Sequence, residues 1–184
     1  MRIRLPTLAA LLLLAGCASP ALKIDTRYDS AVQDSRVQFL ILHYTVADFD
    51  ESVDILVRQG KVSSHYLVRE DPVQVYRLVD ESRLARHAGD SYWDGYAMLN
   101  AGSIGIEIVN PGHEWGYRPF PDAQMEALVP LLADIVKRHD VPRANVVGHS
   151  DIAPARKQDP GELFDWELLA RMRAAGQPWA ISGL

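Results

Sequence analysis

Two histidines in this chain follow apolar runs that are typical of buried strands. His43 ends the run that begins at Val37 (VQFLILH), and His149 ends the run that begins at Asn145 (NVVGH). A buried strand that ends in histidine holds an imidazole on a rigid scaffold at the edge of a sheet. Two such imidazoles and a nearby carboxylate would form a three-ligand zinc site with a fourth position open to water. Because the chain has one cysteine, any catalytic metal must be held by histidine, aspartate or glutamate.

Hydrophobic periodicity predicts the elements that position these groups. Asp48 and Glu51 have capping-box spacing, and the helix that they open is predicted to end at Gly60. The longest helix is predicted over Asp122–His139, with a kink at Pro130. The other predicted elements are strands at Ser64–Val68, Val73–Val79 and Ile104–Val109, a turn at Asp71-Pro72, a long loop over residues 80–103 and a closing helix over Gly161–Ala175. This pattern predicts a single α/β domain, a central mixed β-sheet with helices packed on it and the zinc site at the sheet edge.

The composition is that of an ordinary folded protein with an acidic balance. Of its 184 residues, 48% are hydrophobic and 23% are charged, which suits one domain with one substantial core. The formal net charge is −5 and there is no long block of lysine and arginine. Nucleic acid is therefore not an expected partner, because its binding needs a basic surface.

The first 17 residues (MRIRLPTLAALLLLAGC) have the pattern of a secretory signal. Arg2 and Arg4 form a positive start, and the apolar run after them is too short to span a bilayer. The run ends in LAGC, which resembles the bacterial lipobox, so we expect cleavage before Cys17 and attachment of lipid to it. A plain signal peptide with a chance cysteine is the alternative. Ala18 stands where aspartate would favour the inner membrane, so we expect an outer-membrane anchor that faces the bacterial periplasm.

Five motifs in register along the chain resemble the type 2 zinc-dependent N-acetylmuramoyl-L-alanine amidases, relatives of phage amidase lysozymes and peptidoglycan recognition proteins. The motifs are ILHYT, SSHYLV, SIGIEIVN, VVGHSDIAP and KQDPG, and the likeness runs from about Val37 to Trp166. The periplasmic, lipid-anchored amidases are the most similar group. The resemblance implies an amidase catalytic domain over residues 37–184, after a lipoprotein signal peptide at residues 1–16 and a lipid-anchored tether and lead-in at residues 17–36.

The resemblance also implies a cofactor and the residues that would bind it. It implies one zinc ion per chain, with His43, His149 and Asp159 as its ligands. Glu107 matches the catalytic glutamate of the family, and Lys157 matches the basic residue that stabilises the transition state. The expected reaction is hydrolysis of the amide bond between the lactyl group of N-acetylmuramic acid and L-alanine, in peptidoglycan or muropeptides. We expect a monomer.

Further residues are candidates for contact with substrate. Tyr44, Thr45 and Arg156 fall where the family contacts its substrate. Trp93, in the loop over residues 80–103, is a candidate for stacking on a sugar, although an aromatic residue in such a loop is as often a packing anchor. Arg86 departs from the family pattern, since an aromatic residue often precedes the histidine in the segment RHAG.

The alternation of side chains along one strand supports the role of Glu107 on physical grounds. Ile104, Ile106 and Ile108 share one face, whereas Gly105, Glu107 and Val109 share the other (IGIEIV). The missing side chain at Gly105 predicts room for a substrate beside the carboxylate. A carboxylate there could exchange protons with the attacking water and the leaving amine, and a lysine nearby could meet the developing oxyanion.

Each of these residues also has an ordinary structural explanation. A histidine at a strand end can bond to backbone, an aspartate before Pro-Gly can be a turn residue, and Glu107 can pair with a buried arginine. Lys157 and Arg156 can form a solvated pair. Among the remaining histidines, His139 suits a helix end, His113 is expected to be solvated and His65 to be buried near the site.

Two functions of other classes compete with the enzyme. The first alternative is a non-catalytic peptidoglycan-binding module of the same fold, which would be expected to lack one of the metal ligands. The second is a structural lipoprotein that tethers membrane to wall, with no dependence on metal. No ligand position is substituted here, so the sequence favours the hydrolase.

Overall fold

The computed structural model describes residues 24–167, and these fall into two units. Residues 24–33, the described part of the first unit, are exposed and contain no helix or strand. Every helix and strand described below belongs to the second unit, which begins at Asp34. Within residues 24–167, no helix has the length and apolar character needed to cross a membrane. The predicted signal peptide and Cys17 lie outside the described residues.

Strands of the second unit form a five-stranded mixed sheet and a small hairpin. In chain order the strands are β1 (Phe39–Tyr44), β2 (Tyr66–Glu70), β3 (Val73–Arg77), β4 (Tyr92–Trp93), β5 (Tyr96–Ala97), β6 (Ser103–Ile108) and β7 (Val146–Gly148). The order in the sheet is β3-β2-β6-β1-β7, with β3 antiparallel to β2 and the other pairs parallel. The predicted α/β fold with a mixed sheet is therefore confirmed, and the hairpin of β4 and β5 lies in the long predicted loop.

The helices begin and end largely where the capping signals indicate. They are α1 (Phe49–Val53), which continues as a π-helical turn over Asp54–Arg58, α2 (Gly112–Trp115), α3 (Asp122–His139) and α4 (His149–Ile152). The Asp48 carboxylate accepts a hydrogen bond of 2.9 Å from the backbone N–H of Glu51, as the capping-box spacing predicts. The bounds predicted for α3 are confirmed, and the helix continues through Pro130.

The two faces of the sheet are covered differently, and this places the polar groups on one of them. Leu40 and Leu42 of β1 belong to the larger core, together with Leu128 and Leu132 of α3. Phe39 and Ile41 point to the opposite face and pack in a smaller core with Ile152 and other residues. Because side chains alternate along a strand, His43 shares the face of Phe39 and Ile41, away from α3.

One predicted helix differs from the structure. Residues 161–165 form turns, and helical geometry begins only at residue 166, so the predicted helix over Gly161–Ala175 starts too early. Gly161 has a φ of +85°, which lies outside the helical region and explains why no helix starts there. The rest of that predicted helix lies outside the described residues.

Candidate metal centre

Three polar side chains meet where the neighbouring strands β1 and β7 end. His43 Nδ1 lies 2.9 Å from His149 Nδ1. Asp159 Oδ2 lies 3.0 Å from each of these two nitrogens. All three side chains are buried, and their ligand atoms are close enough for one metal ion to contact all of them. The structure therefore brings together the three residues that the resemblance implied as ligands.

Strand register and one glycine account for this convergence. β1 and β7 pair in parallel, with Leu42 opposite Gly148. His43 follows Leu42 and His149 follows Gly148, so the two histidines lie at the same end of the sheet. The backbone N–H of Ser150 donates to the carbonyl oxygen of Asp159 over 2.8 Å and holds this residue close to His149. A Cβ atom at Gly148 would lie 2.7 Å from Cδ of Pro160, so the approach of this loop requires glycine.

The chemistry of the donor atoms fits a zinc ion. His149 Nε2 lies 3.1 Å from the carbonyl oxygen of Ala88, and since a carbonyl only accepts, Nε2 must carry the ring proton. With the proton at Nε2, the neutral ring of His149 would present its Nδ1 lone pair to His43 and Asp159. Burial lowers the pKa of His43 to about 4, so this imidazole is neutral at neutral pH. Two imidazoles and a carboxylate are a ligand set that zinc prefers.

Glu107 lies beside the three candidate ligands, on the strand adjacent to β1. It is directly opposite His43 in the parallel pairing of β1 with β6, so both side chains project to the same face. Burial and the negative charge of Asp159 raise the pKa of the Glu107 carboxyl well above its usual range, although the positive charge of Lys157 opposes this. A carboxyl group with a raised pKa can both hold and release a proton near neutral pH.

A cleft of about 600 Å³, including its open mouth, joins these groups. Besides the three candidate ligands, it is lined by Glu107, Lys157, Tyr44, Thr45 and Arg86. The Glu107 carboxyl group, which can exchange a proton, and the Lys157 ammonium thus line the same cleft as the three candidate ligands, and Arg86 adds a second cation. This arrangement can polarise a carbonyl group and protonate a leaving group in one place.

Tyr44 and Thr45, which the resemblance places in contact with substrate, lie at the cleft but their hydroxyl groups have partners. The Tyr44 hydroxyl lies 2.8 Å from Nδ1 of His113, and the Thr45 hydroxyl donates to the carbonyl oxygen of Ala47 over 2.9 Å. Their contact with substrate stays a prediction.

His113 is exposed, as the sequence predicted, but its side chain also makes specific contacts. Its ring stacks on Tyr117 with a centroid distance of 4.2 Å, and its Nε2 atom lies 3.0 Å from the Glu162 carboxylate. This cluster lies beside a second opening, which Tyr44 and Lys157 also line. Sequence periodicity could not reveal these contacts of His113, because its partners lie in three separate segments of the chain.

The structure places Arg156 and Trp93 in contact with the protein's own backbone. The Arg156 guanidinium donates to the carbonyl oxygens of Ala88 and Asp90, with a distance of 3.0 Å from Nε to the latter, although the residue also lines the second opening. The Trp93 indole N–H donates to the carbonyl oxygen of Ala144 over 3.3 Å, and its ring packs on the smaller core. Contact of either residue with substrate stays a prediction.

His87 fills the space that the sequence suggested for substrate. A Cβ atom at Gly105 would lie 2.4 Å from Cγ of His87, so the missing side chain accommodates this imidazole and not a ligand. Burial lowers the pKa of His87 well below its usual range, so the ring is neutral. His65 is also buried, as expected, and its ring packs edge-on against His87 with a centroid distance of 5.7 Å. No local pattern connects residues 87 and 105, so sequence analysis missed this contact.

Comparison with known proteins agrees with this geometry. The sequence profile of a family described as N-acetylmuramoyl-L-alanine amidase matches residues 33–162. The N-acetylmuramoyl-L-alanine amidase AmiD of Escherichia coli is 43% identical over 188 aligned residues, which cover 92% of this chain and 68% of that protein. The 1,6-anhydro-N-acetylmuramyl-L-alanine amidase AmpD of Enterobacter cloacae is 40% identical over 60% of this chain and 57% of its own length.

Solved structures of two similar proteins contain muropeptide ligands. The complex of E. coli AmiD with the substrate anhydro-N-acetylmuramic acid-L-Ala-D-γ-Glu-L-Lys has a TM-score of 0.76 and 41% identity, covering 85% of this chain and 65% of that one. AmpDh3 of Pseudomonas aeruginosa in complex with anhydromuramic pentapeptide also has a TM-score of 0.76, with 36% identity over 84% of this chain and 67% of that one. This chain spans about two thirds or less of the length of these relatives.

Proposed function

The chain belongs to the N-acetylmuramoyl-L-alanine amidase family, and we propose that it hydrolyses the amide bond between the lactyl group of N-acetylmuramic acid and L-alanine. Its substrate would be peptidoglycan or the muropeptides released from it. The observation that carries the proposal is the convergence of His43, His149 and Asp159 in one cleft with Glu107. In a binding module without catalysis, such a complete set of ligands and proton-exchanging group would have no use.

We propose that His43, His149 and Asp159 hold one zinc ion, with their Nδ1, Nδ1 and Oδ2 atoms as ligands. When bound there, zinc would supply Lewis acidity toward the scissile carbonyl and toward water. The support for zinc is the fit of the donor set, namely two buried imidazoles and a buried carboxylate.

Glu107 and Lys157, which also line the cleft, divide the remaining work of amide hydrolysis. The Glu107 carboxylate takes a proton from the attacking water and delivers it to the nitrogen of the leaving L-alanine. The raised pKa of Glu107 makes it suited to both steps, since the group must gain a proton and then lose it. The Lys157 ammonium stabilises the negative charge that develops on the carbonyl oxygen.

The experiment that tests this proposal is mass spectrometry of a disaccharide-tetrapeptide incubated with the purified full-length protein. We expect free disaccharide and a peptide that begins with L-alanine, and we expect a zinc chelator to abolish both products until zinc is added back. The variant Glu107→Gln should lower turnover by about 10²- to 10⁴-fold, the usual contribution of a positioned acid or base, and should still bind zinc.

Two outcomes would contradict the proposal. Intact substrate in the presence of zinc, both with the muropeptide and with polymeric wall, would indicate a binding module. Turnover by Glu107→Gln equal to that of the unchanged protein would remove Glu107 from the mechanism. The variant Glu126→Gln, which alters an exposed carboxylate on α3, serves as the matched control and should keep full activity.

We further propose that the protein is a monomeric lipoprotein of the outer membrane that faces the periplasm. The support is the sequence of residues 1–17, with a positive start, a short apolar run and the only cysteine of the chain at the position that lipidation requires. Several acyl chains on one terminus are sufficient for a stable membrane anchor. Substrate in the wall or its released fragments would then lie within reach of the tethered domain.

A further inference from the structure

A row of hydrogen bonds lies behind His43, on the side away from the other ligands. His43 Nε2 lies 3.1 Å from Nδ1 of His87, and His87 Nε2 lies 3.2 Å from the hydroxyl of Ser103. That hydroxyl lies 2.7 Å from the carbonyl oxygen of Leu99. All the side chains in the row are buried, with Ser103 fully inaccessible. Water therefore does not compete for these hydrogen bonds, and each donor in the row must bond to the neighbouring acceptor of the row.

The direction of every proton follows from the last member of the row. The Leu99 carbonyl only accepts, so the Ser103 hydroxyl donates to it and must accept from Nε2–H of His87. None of the described carboxylates forms a hydrogen bond with His87, so its ring carries a single proton and its Nδ1 atom presents a lone pair. That lone pair accepts from Nε2–H of His43. The Nδ1 atom of His43 is then unprotonated, and this is the atom that faces His149 and Asp159.

Ala88, the residue after His87, fixes the proton of the second histidine, His149, at Nε2. The carbonyl oxygen of Ala88 accepts from Nε2–H of His149, and the Arg156 guanidinium donates to the same oxygen. The backbone of this two-residue stretch is held from behind by one side chain. The Asn100 amide oxygen accepts from the N–H of His87 over 3.0 Å and from the N–H of Ala88 over 2.7 Å.

Gly105 is the feature of β6 that admits this arrangement. The His87 ring lies where any larger residue would project, since a Cβ atom there would be 2.5 Å from Nδ1 of His87. The glycine at position 105 of β6 therefore leaves the space that the His87 imidazole occupies behind His43.

We propose that His87 is a positioning residue for the metal centre, which sets the orientation of His43 and the nitrogen that carries its proton. The inference rests on the proposed function, because it concerns the same zinc site. Partners that orient a metal-binding imidazole are typically worth about 10- to 100-fold in metal affinity, so we expect a loss of that size when the acceptor at position 87 is removed.

Two variants of matched size test the inference. Asparagine places an amide oxygen near the position of the histidine Nδ1 atom, whereas leucine has the same shape and no acceptor. We expect His87→Leu to bind zinc about 10- to 100-fold more weakly than the unchanged protein in competition with a chelating dye. We expect His87→Asn to stay within a few-fold of it. Equal affinities of the two variants, or an unchanged affinity in His87→Leu, would overturn the inference.

Nitrogen NMR of the histidine rings in the zinc-loaded, unchanged protein gives a test that does not depend on the folding of a variant. We expect His87 to be protonated at Nε2 and to accept a hydrogen bond at Nδ1. A proton on Nδ1, or on both nitrogens, would overturn the inference. A protein that binds no zinc at all would instead contradict the proposed function, so the two failures are distinguishable.

Discussion

At the scale of single residues, Lys157 affects the pKa of Glu107 as well as lying in the same cleft. Both line the cleft in front of the ligands, and the positive charge of Lys157 lowers the pKa of Glu107 against the opposing effects of burial and of Asp159. Glu107 must be ionised to accept a proton from water. Activity should therefore rise with pH through a pKa that lies above the usual range of a glutamate, and Lys157 should limit how far above it lies.

The variant Lys157→Met tests this linkage. We expect kcat to fall by about 10²- to 10³-fold, as for loss of one group that stabilises an oxyanion, while zinc stays bound. The acid limb of the profile of kcat/KM against pH should move to higher pH, because Glu107 loses the cation that lowers its pKa. Lys137→Met, which alters an exposed lysine on α3, is the control and should leave the profile in place. An acid limb that stays in place or moves to lower pH would contradict the linkage.

At the scale of elements, the last turn of α3 is joined to the loop after β3 by one carboxylate. Glu81 accepts hydrogen bonds from Arg138, from His139 over 2.7 Å and from the Tyr66 hydroxyl over 2.6 Å. Burial alone would raise the pKa of Glu81, but these three donors lower it to about 2. The sequence predicted His139 at a helix end for its favourable interaction with the helix dipole, and the structure adds a specific partner.

The variant Glu81→Gln should lower the free energy of unfolding by about 1–2 kcal/mol at pH 7, in the range of charged hydrogen bonds at a partly exposed site. Because the folded pKa of Glu81 is depressed, its contribution is full above the unfolded pKa of about 4.5. It should shrink as pH falls toward about 2.

Urea unfolding at a series of pH values from 7 down to 3.5 measures this effect. The difference between the unchanged protein and Glu81→Gln should narrow below about pH 4.5. The control Glu126→Gln should show no such trend, since Glu126 is exposed on the same helix. A constant difference over the whole series would mean that the ionised form of Glu81 does not stabilise the fold.

At the scale of the whole molecule, the polypeptide combines a proposed membrane anchor with a folded unit that begins at Asp34. The three candidate ligands lie within residues 43–159 of that unit, and we expect the proposed lipid on Cys17 to have no part in the chemistry. Attachment to the membrane and hydrolysis should therefore be separable by mutation.

The variant Cys17→Ser, expressed in bacteria, tests the anchor. We expect the protein to leave the membrane fraction, because serine provides no thiol for lipid attachment, and we expect its specific activity toward a soluble muropeptide to be unchanged. Immunoblots of separated membrane and soluble fractions measure the first outcome. Ala18→Ser keeps the cysteine and should remain with the membrane. Retention of Cys17→Ser in the membrane fraction would contradict the lipoprotein assignment.

The sequence by itself predicted the fold class, the extent of α3 and the family, and these are confirmed. Such features depend on patterns that are local or continuous along the chain: the apolar stripe of a helix, the alternation along β6, and motifs in a fixed order. The resemblance also named the three candidate ligands, and the parallel register of β1 and β7 explains why the two histidines meet.

Only the tertiary structure decided how the site is supported. Gly105 indicated vacant space on one face of β6, but a missing side chain does not say what fills the space, and His87 fills it. The contacts of His87 with His43 and Ser103 join residues that are 44 and 16 positions apart, and no periodicity encodes such pairs. Arg156 likewise lies against the carbonyl oxygen that holds His149. Hydrogen bonds of this kind depend on directions and distances across packed elements, which the order of residues alone does not specify.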